Sequence, residues 1–291
     1  MDPASLCTSN DFYGCTRSTS GTTIINPIAS ARLRTAENFS FKYGRVEVRA
    51  KLPLGDWLWP AIWFLPEQQA FGPWPVSGEI DLMESRGNSA SYQYGGVNTF
   101  GSTLHLGPNY HYDAWNIAHQ TYTLPSGDFS QDFHVFGLYW NETNIYTYID
   151  EDTPANRLLN LDLTTKSFWD IASASQGWDS MNFANPYANQ SNIAPFNQPF
   201  YIVLNVAVGG TGGYFPDGPE KPWSNQSPIA AYQFWQAQSQ WGQSWVGENT
   251  AMVVDYVRVW AFNTSDFRIG SRRVNQMKVV DELDLFFQSL N

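Results

Sequence analysis

Between residues 42 and 52 the chain alternates strictly. Val46, Val48 and Ala50 fall on one side, and Arg45, Glu47, Arg49 and Lys51 on the other. A period of two is what a β-strand needs to bury one face and wet the other. The pattern recurs: residues 59–65, 80–83, 133–140, 145–149, 201–208 and 251–262 are further short apolar or alternating runs, separated by Gly, Pro, Asn and Asp clusters. Few stretches of ten or more residues before position 265 carry a helical period. Many strands punctuated by turns predict an all-β chain, an antiparallel β-sandwich of two sheets. A chain of 291 residues with 43% hydrophobic residues can form this as one domain. Near the C-terminus the character shifts. Arg268, Arg272, Arg273 and Lys278 precede Val279, Val280, Leu283, Phe286, Phe287 and Leu290 at roughly helical spacing. We therefore expect the sandwich to occupy residues 1–267 and an appendage, in the form of an amphipathic helix, to occupy 268–291.

Charge and composition exclude several function classes. A net charge of −11 argues against a nucleic-acid partner, whose phosphates require Lys and Arg. No apolar run approaches the ~18 residues of a membrane span. Residues 1–11 have neither a basic start nor an apolar stretch, so no signal peptide is expected within this chain. Aromatic residues reach 16%, with 13 Trp. That is more than packing alone demands, and it suits a surface that stacks on the flat apolar faces of sugars. Cys7 and Cys15 are close enough in sequence to form a disulfide in an oxidising compartment, the alternative being two free thiols. Sequons at Asn38, Asn141, Asn189, Asn225 and Asn263 are individually weak signals, but together with the cysteines they favour a secreted, extracellular protein.

The segment Gly78-Glu79-Ile80-Asp81-Leu82-Met83-Glu84-Ser85 sets three acids among strand formers with no Lys or Arg between them. In a regular strand Glu79 and Asp81 share a face, and Glu84, five residues on, points the other way. A β-bulge near Leu82–Met83 would return Glu84 to the acid face. Retaining glycoside hydrolysis uses such a set: one carboxylate attacks the anomeric carbon, and a second protonates the leaving oxygen and then activates water. Three neighbouring carboxylates cannot all ionise cheaply, so their pKa values are driven apart. We expect Glu84 to hold its proton while Glu79 is charged, with Asp81 hydrogen-bonded to Glu79. The competing readings are a solvated acidic strand face, which normally interleaves basic residues, and a metal site, for which no His is near in sequence.

This acid set resembles the E-x-D-x-x-E signature of glycoside hydrolase family 16, laminarinase branch. The resemblance extends from about Cys7 to Phe262, through Ser30-Ala31-Arg32-Leu33, Tyr43-Gly44-Arg45-Val46-Glu47-Val48-Arg49, Trp59-Pro60-Ala61-Ile62-Trp63-Phe64-Leu65-Pro66, Thr103-Leu104-His105-Leu106-Gly107, Leu204-Asn205-Val206-Ala207-Val208-Gly209-Gly210 and Val254-Asp255-Tyr256-Val257-Arg258-Val259. It is nearest to animal β-1,3-glucanases and the glucan-recognition proteins of invertebrate immunity.

The resemblance implies a β-jelly-roll whose concave sheet forms the substrate cleft, and a catalytic set of Glu79, Asp81 and Glu84. It implies Trp59, Trp63 and Trp74 as cleft aromatics, Arg32 on the sugar hydroxyls, His105 near the scissile bond, and Asn205 and Trp223 as further sugar contacts. For each Trp the alternative is core packing, and for Arg32 a surface ion pair. Asp255, with a carbonyl near Gly44, resembles the set that holds a structural calcium in part of the family; a strand-end Asp bonded to backbone is the alternative. No cofactor is expected for catalysis. The expected partner is β-1,3-glucan, acted on by a monomer. Relatives usually carry residues ahead of Cys7, so an N-terminal truncation is expected. The leading function is an endo-β-1,3-glucanase. Its rival is a non-catalytic glucan-binding protein of innate immunity, a group in which one or both catalytic Glu are typically lost; here both remain.

Overall fold

A computed structural model describes residues 16, 18–262, 267–269 and 283–284. Fourteen strands lie among them: β1 (Arg32–Arg34), β2 (Phe39–Phe41), β3 (Gly44–Lys51), β4 (Leu58–Pro66), β5 (Glu79–Ser85), β6 (Thr99–His105), β7 (His119–Thr123), β8 (His134–Trp140), β9 (Asn144–Ile149), β10 (Arg157–Asp162), β11 (Phe200–Val208), β12 (Val253–Trp260), β13 (Phe267–Ile269) and β14 (Leu283–Asp284). Three short α-helices accompany them: α1 (Phe168–Gln176), α2 (Ala230–Gln236) and α3 (Gln238–Trp241).

The strands form two antiparallel sheets, the sandwich expected from the alternation. One runs β13-β2-β11-β4-β5-β6-β7, with β1 also paired to β11; the other runs β10-β9-β8-β3-β12-β14. In β3 the alternation is realised residue by residue, with Val46, Val48 and Ala50 buried and their neighbours half-buried. The sheets meet through large rings. Trp140 of β8 packs edge-on against Phe41 of β2 and Phe200 of β11, with centroids 5.8 and 5.5 Å away. Each such ring, fully buried, contributes roughly 2–3 kcal/mol.

A second, smaller aromatic cluster of Trp57, Tyr92, Phe215, Trp223, Phe234 and Trp241 lies apart from this core. Residues 267–269, which straddle the boundary expected at 267/268, pair with β2, and residues 283–284 of the appendage pair with β12 as a strand. The rest of 270–291, where a helix was expected, lies outside the described residues. So do Cys7 and Cys15. Among the described residues, no helix is long and apolar enough to cross a membrane.

Candidate active site

β5 lies in the middle of the larger sheet, between β4 and β6. It starts right after Gly78, whose φ of +84° and nearness to Pro195 and Phe196 (an added Cβ would lie 3.0 Å from each) suit only glycine. Asp81 pairs with Trp63 of β4 and Thr103 of β6; Glu84 pairs with Ala61 and Gly101. Three steps along β5 therefore match two steps on each neighbour. This is the bulge expected near Leu82–Met83, and it brings Glu79, Asp81 and Glu84 to one face.

That face floors a cleft of about 380 Å³ bordered by Arg32, Trp59, Trp63 and Asn205. His105, far away in sequence, ends β6 directly opposite Glu79. Its Nε2 lies 3.0 Å from Asp81 Oδ2 and its Nδ1 lies 2.5 Å from Asp113 Oδ2. Trp74 Nε1 donates to Glu79 Oε2 at 2.5 Å, and Trp59 Nε1 donates to Glu84 Oε1 at 2.9 Å. Trp63 Nε1 donates to Asn205 Oδ1 at 2.7 Å, and the Arg32 guanidinium carbon sits 4.7 Å over the Trp63 ring. Arg32, Trp59, Trp63, Trp74, His105 and Asn205 are thus brought together around the three acids.

The electrostatics follow from burial. Loss of water pushes Glu84 up to about 8; repulsion from Asp81 adds to this, while His105, the Trp59 N–H and Arg86 oppose it. Glu79 is also pushed well above the usual carboxylate range, first by burial and then by Asp81, against the pull of His105. A hydrogen bond shared with Asp81 acts in the same direction; between two carboxyls such a bond requires one proton. The proton expected on Glu84 agrees with this. The negative charge expected on Glu79 does not, because the cleft floor is as dry at Glu79 as at Glu84.

Burial alone would lower the His105 pKa, but hydrogen bonds to Asp113 and Asp81 outweigh it and push it up to about 11. The donor atoms of Glu79, Asp81 and His105 lie within 4.8 Å of one another, which by spacing alone could hold a metal ion. A doubly protonated imidazolium has no lone pair to offer, so the trio is better suited to moving protons than to ligating a cation.

Two expectations need correction. Trp223 is only 4% exposed, packed edge-on to Trp57 and Phe234, and its indole N–H is used by the Gly210 carbonyl. Little more than its edge reaches an adjoining groove, so it supports the cleft wall and offers no stacking face. The calcium set also fails. Asp255 lies between the residues facing Ala50 and Arg49, whereas Gly44 begins β3. The two positions are about 17 Å apart at ~3.3 Å per residue. The Asp255 carboxylate is instead paired with Arg49 at 2.6 Å. Among the described residues, Asp255 and Gly44 are therefore too far apart to share one calcium ion.

Three contributors went unnoticed in the sequence. Asp113 holds the far side of His105. Tyr214 lies flat on Trp59, with ring centroids 3.9 Å apart and planes 2° apart. Arg86 sits over the other face of Tyr214, its guanidinium carbon 4.1 Å from the ring centroid. The aromatic run Tyr110-His111-Tyr112-Asp113 just after His105 was a readable signal for Asp113. Tyr214 lies too far from β5 in sequence to give one.

The Glycosyl hydrolases family 16 profile matches residues 10–176, which include the whole acid set. The chain belongs to this family. Among its relatives, a protein named Beta-1,3-glucan-binding protein from Penaeus monodon is 48% identical over 90% of this chain and 70% of its own length. Glucan endo-1,3-beta-glucosidase A1 from Niallia circulans is 36% identical over 67% of this chain and 24% of its own length. A glucan endo-1,3-beta-glucosidase from Cryptopygus antarcticus is 30% identical over 82% of this chain and 70% of its own length. Among solved structures, the laminarinase catalytic domain from Thermotoga maritima is 30% identical, with a TM-score of 0.49, over 79% of this chain and 68% of that one.

Proposed function

We propose that this chain is an endo-β-1,3-glucanase that works by retaining double displacement without a cofactor. The observation that carries the proposal is the bulged β5, which sets Glu79 and Glu84 on one cleft face with Asp81 between them, Glu84 holding a proton at neutral pH. Glu79 attacks the anomeric carbon and inverts it, while Glu84 gives its proton to the leaving glycosidic oxygen. Glu84, now a base, takes a proton from water as that water attacks the glycosyl-enzyme, and the second inversion restores the original anomer. Asp81 lies between the two and passes the influence of His105 to Glu79. For Glu79 to attack, the proton it shares with Asp81 must pass to Asp81 or to solvent water as substrate binds, and the positive charge of His105 favours the Glu79 anion.

A neutral glucan fits an acidic chain whose cleft is bordered by Trp59, Trp63 and Arg32. Exposed sequon residues Asn38 and Asn189 agree with secretion. Asn225 does not add to this, because its side-chain amide donates to Phe215 O.

Chromatography of the products from laminarin, lichenan, cellulose and xylan tests the proposal. Short oligosaccharides released fastest from laminarin are expected. Release from xylan with none from laminarin would reject it.

The relative named as a glucan-binding protein favours a second reading, in which the same cleft binds laminarin without cutting it. Wild type that binds laminarin with no turnover at any pH would establish that reading. Under the enzyme reading, Glu79→Gln alone should behave in that way.

A further inference from the structure

We propose that Arg86 and Tyr214 are positioning residues: together they brace Trp59 so that its indole N–H holds one oxygen of Glu84 and leaves the other to meet the substrate. The inference rests on the reading of Glu84 as general acid/base. Three layers make up the brace. The Arg86 guanidinium lies over one face of Tyr214, and Trp59 lies parallel against the other. Cation–π attraction and offset stacking favour both contacts.

Arg86 also clamps the chain itself. Its Nε and Nη2 donate to Tyr214 O at 3.1 and 2.6 Å, and its Nη1 donates to Tyr94 O at 2.6 Å. The clamp matters because Tyr214 follows a glycine-rich turn, in which Gly210, Gly212 and Gly213 have nothing within 4 Å of an added Cβ. Trp223 Nε1 holds the start of this turn through Gly210 O at 2.8 Å, and Arg86 holds its end. One consequence concerns Trp59. With one face covered by Tyr214, it presents its edge N–H to Glu84 at 2.9 Å and cannot offer that face to a sugar.

The groups that face Glu84 are Asp81 from its own strand, His105 from β6, Arg86, and Tyr214 from the turn. His119 of β7 faces His105, Arg86 and Asp81 behind them. Of these groups, only Arg86 and His105 carry positive charge near Glu84 at neutral pH. The Trp59 N–H and Arg86 both favour the carboxylate, so losing either should make Glu84 hold its proton more tightly.

The test is the pH dependence of kcat/KM on laminarin for Trp59→Phe, Arg86→Met, Tyr214→Ala and Tyr214→Phe. Trp59→Phe keeps the stack and removes only the donor. It and Arg86→Met should each move the basic limb upward by about one pH unit. Both should lower kcat by about tenfold or more with KM changed less than about twofold, since the loss falls on the transition state. Tyr214→Phe should recover most of what Tyr214→Ala loses, because the ring and not the hydroxyl does the bracing. An unmoved basic limb in Trp59→Phe and Arg86→Met, or equal activity in the two Tyr214 variants, overturns the proposal. If wild type hydrolyses nothing, the enzyme reading fails by itself. A carbon-13 NMR titration of Glu84 in wild type and Trp59→Phe then decides the brace: an upward shift supports it, and identical titrations reject it.

Discussion

Glu84→Gln should make the folded protein more stable at pH 8 and leave it nearly unchanged at pH 5. Glu84 has a pKa of about 8 in the fold, against an ordinary 4.5, because burial disfavours its anion. Between these two values the folded chain keeps a proton that the unfolded chain has released. The folded state is therefore penalised progressively as pH rises from 4.5 to 8, and the stability present at low pH is lost across that window.

At 1.36 kcal/mol per unit, the full difference is on the order of 5 kcal/mol at pH 8. Water entering an open cleft and local relaxation reduce this, and a realised effect of roughly 2 kcal/mol is reasonable given effective interior dielectrics near 20. Glutamine keeps the size of the side chain and the acceptor for the Trp59 N–H, and it does not titrate. At ~2–4 °C per kcal/mol for a domain of this size, Tm should rise by about 4–8 °C at pH 8 and by less than ~1 °C at pH 5. Calorimetric or circular-dichroism melts at the two pH values measure this. A Tm difference that is the same at both, or a variant less stable than wild type at pH 8, would refute the reasoning that Glu84 is desolvated.

Azide should rescue the two nucleophile-and-acid variants with opposite stereochemistry, as read by NMR of the products: Glu84→Ala should give the β-glycosyl azide and Glu79→Ala the α. Swapped anomers would reverse the roles proposed here, and the same anomer from both would refute them. His105 should carry protons on both ring nitrogens at pH 8 in nitrogen-15 NMR, and Asp113→Asn should lower its pKa toward the ordinary value. Because the His105 pKa is raised to about 11, its contribution to stability is complete below about 6.5 and fades as pH climbs toward 11. A neutral ring at pH 8 in wild type would remove the electrostatic part of the site description.

Legibility in the sequence followed the strength of the physical signal. β3, β4, β8, β9 and β11 were readable because each buries apolar residues within a run of six or more, and β12 because its apolar residues alternate, although only Val257 and Val259 are buried. β1 and β2 have three residues each, too few to show a period. β7 sits at a sheet edge and is mostly exposed, so it has no buried face to advertise. The site residues divided similarly. The acids sit on one strand, so their spacing encodes their geometry, whereas Asp113, Arg86 and Tyr214 act through contacts that only the fold makes. Trp223 is not assignable from sequence, because the same large apolar ring serves a core or a sugar and only its burial distinguishes the two.

The bulge shows why fold and chemistry could be read from the same seven residues. Leu82 and Met83 are adjacent, yet both are buried in the core, at 1% and 0% exposure. A regular strand cannot bury two successive side chains on one face, so one of them would have to enter the cleft. Exposing either would forfeit on the order of 2 kcal/mol, while a bulge needs only a local break in the ladder. The apolar pair therefore selects the bulge for reasons of packing. Once formed, the bulge shifts the parity of everything after it, and Glu84 moves from the core face to the face of Glu79 and Asp81. The hydrophobic step between Asp81 and Glu84 thus sets the register of the acids. Replacing Met83, the one of the pair that a regular strand would turn into the cleft, by a polar residue would favour a regular strand, at which point Glu84 would face the core and the set would no longer be assembled.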